Sequence, residues 1–228
     1  MKFERFVQVP AFEVDGEYAP PAAALERRVQ EIWDLEKQQR GDALFDGVML
    51  SVVEFTSARW RMQRTRYRYF LAQLREPALK NELCVLPLAV TGMVTIAEGK
   101  LMGRRSRDVV IEPGVFEFAP AGGLDEDDVA GVGVDPSRGF VREWREELGF
   151  EWPGGSGLEV VGWCRDPVAG PIDLIVSSHL EMRLEAVQRG HHASGSREYE
   201  ELVAVPAGGP LPEGAGEISM ALFAAGLV

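Results

Sequence analysis

Three glutamates, Glu143, Glu146 and Glu147, lie close together in the segment Arg142-Glu143-Trp144-Arg145-Glu146-Glu147-Leu148-Gly149-Phe150. On an α-helix, positions i, i+3 and i+4 share a face about one turn apart, so these carboxylates would crowd and repel one another. Phe140, Trp144 and Leu148 follow an i, i+4, i+8 spacing beside them. Such an apolar stripe would bury the helix and leave the glutamates along the edge of a cleft. Hard oxygen donors so placed suit magnesium, which takes one or two carboxylates and completes an octahedron with waters and phosphate oxygens. A solvated acidic helix face uses the same residue types, and composition alone does not choose between the two.

A phosphate-bearing ligand would also need cations. The chain has 24 Lys and Arg against 36 Asp and Glu, a net charge of −12. That balance repels nucleic-acid phosphates and anionic membrane surfaces, and it points to a small-molecule partner rather than a polymer. Arg104, Arg105 and Arg107 form a basic island ahead of the acidic helix. Both Arg104 and Arg105 could reach substrate phosphate in planar bidentate geometry, although arginines on an exposed hairpin look the same. Arg59-Trp60-Arg61 and the run Arg64 to Tyr69 interleave cations with aromatics, as a base-stacking surface would. In so acidic a chain the patch reads as a helix surface with snorkelling arginines, a few of them free for nucleotide contact. His191 and His192 follow Gly190 in an apparent loop. No cysteine or third histidine lies near them, so zinc is not expected, and a loop histidine near phosphate is the functional alternative. His179 falls in an apolar strand pattern and reads as a core or edge residue. Cys84 and Cys164, each in an apolar stretch without CxxC spacing, read as buried reduced thiols.

The elements that must carry these residues follow from periodicity. The opening KFERFVQVPAFEV alternates as a strand, and Ala24, Val29, Ile32, Trp33 and Leu35 repeat at helical spacing up to Gly41. Val48 to Phe55 is a β-branched strand, and Thr65 to Glu82 is predicted helical. From Leu86 a hairpin turns at Glu98-Gly99-Lys100, and the strand Val115 to Pro120 leads into Ala121-Gly122-Gly123. The acidic, glycine-rich stretch that follows lacks an apolar period and reads as a loop. Asp135-Pro136 and Gly149 bracket the acidic helix as N-cap, first turn and C-terminal stop. Strands are predicted at Leu158 to Arg165, Ile172 to Leu184 and Tyr199 to Val205, with a short helix from Leu184 and a last helix from Glu217. Residues 1–85 thus form a small N-terminal α/β subdomain, and residues 86–228 a mixed α/β domain.

Arg142 to Phe150 resembles the RE-U-x-EE-x-G-U half of the Nudix box at every fixed position, with Trp144 and Phe150 at its apolar sites. Pro120-Ala121-Gly122-Gly123, at the end of a strand, is similar to the Pro-Gly-Gly with which that box opens. The first half departs from the pattern. Val134 stands where the box has a glutamate, Asp128 where it has a glycine, and the loop is lengthened. Asp125, Glu126, Asp127 and Asp128 are left to supply the missing acid.

The resemblance implies a Nudix-type mixed-sheet α/β/α sandwich of the α/β (α+β) class, with magnesium (manganese possible) bound by Glu143, Glu146 and Glu147. It implies that Arg142 holds one of these glutamates by a salt bridge and that Glu143 or Glu147 is ligand or base. Gly122 and Gly123 fall on the substrate side with Arg104 and Arg105. A further acid from a late loop is expected at Glu198, with Glu201 as second choice. From about Asp46 to Val205 the chain looks like the branch with a lengthened box loop that hydrolyses UDP-glucose and UDP-galactose to UMP and sugar 1-phosphate. Hydrolysis of ADP-ribose, a dinucleoside polyphosphate or coenzyme A is the second reading, and a non-catalytic nucleotide-binding module the third. A cytoplasmic monomer or homodimer without nucleic-acid or membrane partners is expected, since no signal-peptide h-region and no span-length apolar run occurs in the sequence.

Overall fold

The computed structural model describes residues 1–41, 44–155, 157–165 and 170–228. In chain order the first elements are β1 (Lys2–Arg5), β2 (Ala11–Glu17), α1 (Ala23–Arg40), β3 (Val48–Phe55), β4 (Arg59–Arg66), α2 (Tyr67–Arg75) and α3 (Lys80–Leu83). Then come β5 (Leu88–Ile96), β6 (Gly99–Arg105), β7 (Phe116–Phe118), β8 (Ala121–Gly123), β9 (Val129–Ala130), β10 (Gly133–Val134) and α4 (Pro136–Glu143). The chain closes with β11 (Glu159–Arg165), β12 (Ile172–His179), α5 (Leu184–Ser194), β13 (Tyr199–Val205) and α6 (Glu217–Ala224).

These elements build a mixed α/β sandwich around two sheets. The larger runs β1-β11-β12-β5-β6-β13, with β12 parallel to β5 and the other pairs antiparallel. β5 and β6 pair only beside their turn, at Thr95–Lys100 and Ile96–Gly99. Where they splay, β7 pairs with β6 and β8 with β5, so residues 116–123 lie as a wedge between them. The smaller sheet runs β3-β4-β2-β10-β9. The N-terminal segment enters both sheets, because β1 pairs with β11 and β2 with β10.

Side-chain alternation divides the large sheet between two layers. On one face Leu88, Val90, Leu101 and Leu174 join Phe140, Trp144 and Leu148, together with Phe12, Leu50, Trp60 and Met62 of the small sheet. On the other, Met93, Met102, Phe116, Phe118 and Ile175 pack with Leu222 of α6. α1 and α2 meet in a third cluster around Val29, Ile32, Tyr69 and Phe70.

Three expectations are corrected. Arg59 to Arg66 is a strand and not a helix surface, because Trp60 and Met62 are buried at period two while their neighbours face outward. His191 and His192 are in α5, which continues to Ser194. Cys84 is exposed, at the end of α3, whereas Cys164 is buried as expected.

Candidate active site

Local chemistry brackets the acidic helix. The Asp135 carboxylate accepts the backbone N–H groups of Ser137 at 2.9 Å and Arg138 at 3.4 Å, with Pro136 opening the first turn. Gly149, at φ 81°, closes the other end in the left-handed conformation. Phe140, Trp144 and Leu148 are wholly buried between them. From Trp144 to Leu148 the helix widens into a π turn. At about 100° per residue Glu147 lies beside the buried stripe of Phe140, Trp144 and Leu148, and Glu146 on its far side. Glu143 and Glu147 are buried and Glu146 is exposed. The expectation of three carboxylates on one face thus becomes two inside and one at the rim.

Arg142 ties this helix to the lengthened loop. Its Nη1 donates to Glu143 Oε1 at 2.8 Å and Glu146 Oε2 at 3.2 Å. Its Nη2 donates to Gly123 O and Asp128 Oδ2, both at 2.8 Å, and its Nε to Asp128 Oδ1 at 3.3 Å. Burial alone would lower the guanidinium pKa. The Asp128 hydrogen bond and the charges of Glu143, Asp128 and Asp125 outweigh it and hold the pKa above its ordinary value. Asp128 is fully buried at the end of the 3-10 turn Glu126–Asp128. Its neighbours have other duties: Asp125 caps that turn by accepting Asp127 N–H at 2.8 Å, and Glu126 pairs with Arg64 of β4. Among the four loop acids, then, Asp128 makes the closest contact with Arg142, while Val134 lies in the core.

A second network faces the helix from the wedge and from β13. Glu147 Oε2 accepts the Ala121 N–H at 2.9 Å and the Tyr199 hydroxyl at 2.6 Å. That hydroxyl lies 3.2 Å from Glu117 Oε1, which is ion-paired to Arg105, and Arg105 Nη2 lies 3.0 Å from Glu198 Oε1. A Cβ on Gly122 would overlap the Glu143 carboxylate, so only glycine lets this side chain lie against β8. Gly123 faces open space and leaves its backbone approachable.

Strand alternation separates the paired candidates. Arg105 shares a face with Gly103, Glu117 and Tyr199. Arg104 points to the opposite face, where it stacks 4.7 Å from the Phe116 ring centroid and pairs with Glu201 at 3.0 Å. The two arginines therefore do not form one phosphate clamp, and of the two late acids Glu198 is the one in this network. Glu117 and Tyr199 are residues that sequence reasoning did not single out. A signal for Glu117 was the alternation Phe116-Glu117-Phe118, which sends the charge to the face opposite two phenylalanines.

Burial is the main cause of the electrostatic strain in the cluster. It pushes Glu117 and Glu143 up to about 7, partly offset by Arg105 and Arg142 respectively. It raises Glu147 well above the usual carboxylate range, and repulsion from Glu117 and Glu143 adds to the effect. Such a donor set fits a hard divalent cation, which would counter the repulsion and drive off the protons. The bonding pattern fits as well. Glu143, Glu146 and Glu147 each engage one carboxylate oxygen, leaving Glu143 Oε2, Glu146 Oε1 and Glu147 Oε1 without a hydrogen bond from the described residues. Among those residues, no three acidic, histidine or cysteine side chains already converge as a metal shell.

Two hollows border this framework. One of about 420 Å³ is lined by His191, His192, Ser196, Tyr199 and Glu200, and one of about 390 Å³ by Tyr18, Arg64, Arg66, Tyr69 and Glu126. Neither is lined by Glu143 or Glu147. Among the described residues, no helix is long and apolar enough to cross a membrane.

No family model matches the sequence, and no curated protein matches it. Solved structures with a similar course of chain include a MutT protein from Methanosarcina mazei Go1, at 17% identity over 61% of this chain and 91% of that one, TM-score 0.45. The NUDIX domain of Shewanella oneidensis NrtR, solved with ADP ribose, is 13% identical over 62% of this chain and 87% of its own, TM-score 0.41. The E. coli ORF135 protein is 23% identical over 61% and 92%, TM-score 0.36. With every score below 0.5, the functional reading rests on the side chains of the cluster.

Proposed function

We propose that this chain is a magnesium-dependent hydrolase of the Nudix type that cleaves a nucleoside diphosphate linked to a second moiety, with UDP-sugars such as UDP-glucose as the preferred substrates. The observation that carries the reading is the spatial repair of the broken box. Asp128, from the lengthened loop, grips Arg142 with both oxygens, and Arg142 in turn holds Glu143 and Glu146. An acidic helix serving only as a solvated face would not bury a guanidinium among four acids.

Glu143, Glu146 and Glu147 would hold the ion by their free oxygens, with Glu146 at the solvent edge. When bound, magnesium neutralises the two phosphates and lowers the pKa of the attacking water. Glu143 or Glu147 takes the proton as the water oxygen bonds to phosphorus and the bridging P–O bond breaks, giving UMP and sugar 1-phosphate. Gly122 makes room for the Glu143 carboxylate, and Gly123, which faces open space, lets a phosphate approach the glutamates. Glu198 is a reserve acid at the same site, with Arg105 held between it and Glu117.

The test is a panel of nucleotide sugars, ADP-ribose, dinucleoside polyphosphates and coenzyme A with magnesium, run on wild type and Glu147→Gln. UMP release from UDP-glucose that falls at least about 100-fold in the variant is expected. Turnover of adenine compounds alone would sink the UDP-sugar assignment. Nucleotide binding without any turnover would make the chain a binding module.

A further inference from the structure

Tyr199 is held from several directions. Its ring lies so close over Gly103 that a Cβ there would overlap three ring carbons. Its carbonyl is 3.0 Å from His191 Nε2, and it sits across the strand pair from Arg105. The hydroxyl, 4% exposed as a residue, has one proton to give and two carboxylates in reach, Glu147 Oε2 at 2.6 Å and Glu117 Oε1 at 3.2 Å. The shorter contact is the one to Glu147.

The consequence concerns which oxygen of Glu147 stays available. A carboxylate turns easily about its last side-chain bond. Here both donors, the Ala121 N–H and the Tyr199 hydroxyl, fall on Oε2. Oε1 is left without a hydrogen bond from the described residues. We infer that Tyr199 is a positioning residue that locks Glu147 so that Oε1 is presented to the cation, with Glu117 and Arg105 as its backing. The helix alone does not fix that oxygen, and a hydroxyl from strand β13 does. This inference rests on the reading of Glu147 as a metal ligand.

The variant Tyr199→Phe keeps the ring over Gly103 and removes only the hydroxyl. Three measurements on the whole chain read it: Mn²⁺ binding by electron paramagnetic resonance without nucleotide, hydrogen exchange of the Ala121 amide, and kcat and KM on whichever nucleotide the wild type hydrolyses. The variant is expected to melt cooperatively, to bind Mn²⁺ about 10- to 100-fold more weakly, and to lose kcat by a similar factor with KM nearly unchanged. Its Ala121 amide should exchange faster, because Glu147 no longer stays in place to accept it. Gly103→Ala, which displaces the ring from behind, should move the same readouts in the same direction and serves if Tyr199→Phe does not fold. Unchanged Mn²⁺ affinity together with unchanged Ala121 protection overturns the inference. If the wild type binds no Mn²⁺ and turns over no nucleotide, the proposed function fails on its own, and the Tyr199 lock is then judged by Ala121 exchange alone.

Discussion

Asp173 carries a carboxyl into the middle of the large sheet, on the face it shares with Ile175 and opposite Cys164 of β11. Burial pushes it up to about 7, with the Thr91 hydroxyl bond at 3.0 Å offsetting part of the rise and the charge of Glu112 adding to it. In the unfolded chain it titrates near its ordinary value of about 3.9. Between those two values the folded protein keeps a proton that the unfolded chain releases. This group therefore lowers stability as pH rises, by about 1.4 kcal/mol per pH unit, and the loss levels off above about 7. Asp173→Asn removes the titration and keeps an acceptor for Thr91. Urea unfolding should find the variant gaining roughly 2–4 kcal/mol over wild type on going from pH 4.5 to pH 8. An equal difference at both pH values would show that Asp173 does not titrate in this window. Such residues mark the limit of what the linear sequence discloses. Asp128 could not be chosen from four consecutive acids because the choice is made by their partners: the turn takes Asp125, Arg64 takes Glu126, and Arg142 takes Asp128 at full burial.

The elements around the site were mostly legible because each carries its own punctuation. Asp135-Pro136 and Gly149 bound the acidic helix, and the turn at Glu98-Gly99-Lys100 joins β5 to β6. The π turn was not legible. Trp144 and Leu148, buried at its two ends, have the i, i+4 spacing of a regular helix, so no sequence signal distinguishes it. β4 was missed because its arginines mask a two-residue period carried by only Trp60 and Met62. The unequal burial of two adjacent glutamates has a functional consequence. The Glu147 carboxylate is held by Tyr199 and Ala121, whereas Glu146 is exposed and its carboxylate pairs, among the described residues, with Arg142. Under the proposed function, Glu146→Gln should cost less than about 10-fold in kcat and in Mn²⁺ affinity, with Glu147→Gln costing at least about 100-fold. Equal losses would show that enclosure by Tyr199 and Ala121 does not set Glu147 apart from Glu146.

At the scale of the molecule, the N-terminal third underpins the site, and its described residues make no hydrogen bond or ion pair to Glu143, Glu146 or Glu147. Leu50 of β3 donates its N–H to Leu124 O at 3.1 Å, and Arg64 of β4 pairs with Glu126, so the turn that presents Asp128 is propped by the small sheet. Phe12, Val14, Leu50, Val52, Trp60 and Met62 lie in the same core as Leu88, Phe140, Trp144 and Leu148. Periodicity along the chain registers elements but not which sheet they join, so nothing in residues 1–17 announced that β1 would pair with β11 and β2 with β10. Burying six such side chains is worth roughly 9–18 kcal/mol at about 1.5–3 kcal/mol each. Net stabilities of whole domains are only about 5–15 kcal/mol. A fragment of residues 86–228 should therefore lack a cooperative urea transition and near-ultraviolet dichroism, and it should recover both when residues 1–85 are supplied as a separate chain. A cooperative transition in the isolated fragment would show instead that residues 86–228 have a core of their own, with the N-terminal sheet as an attachment to it.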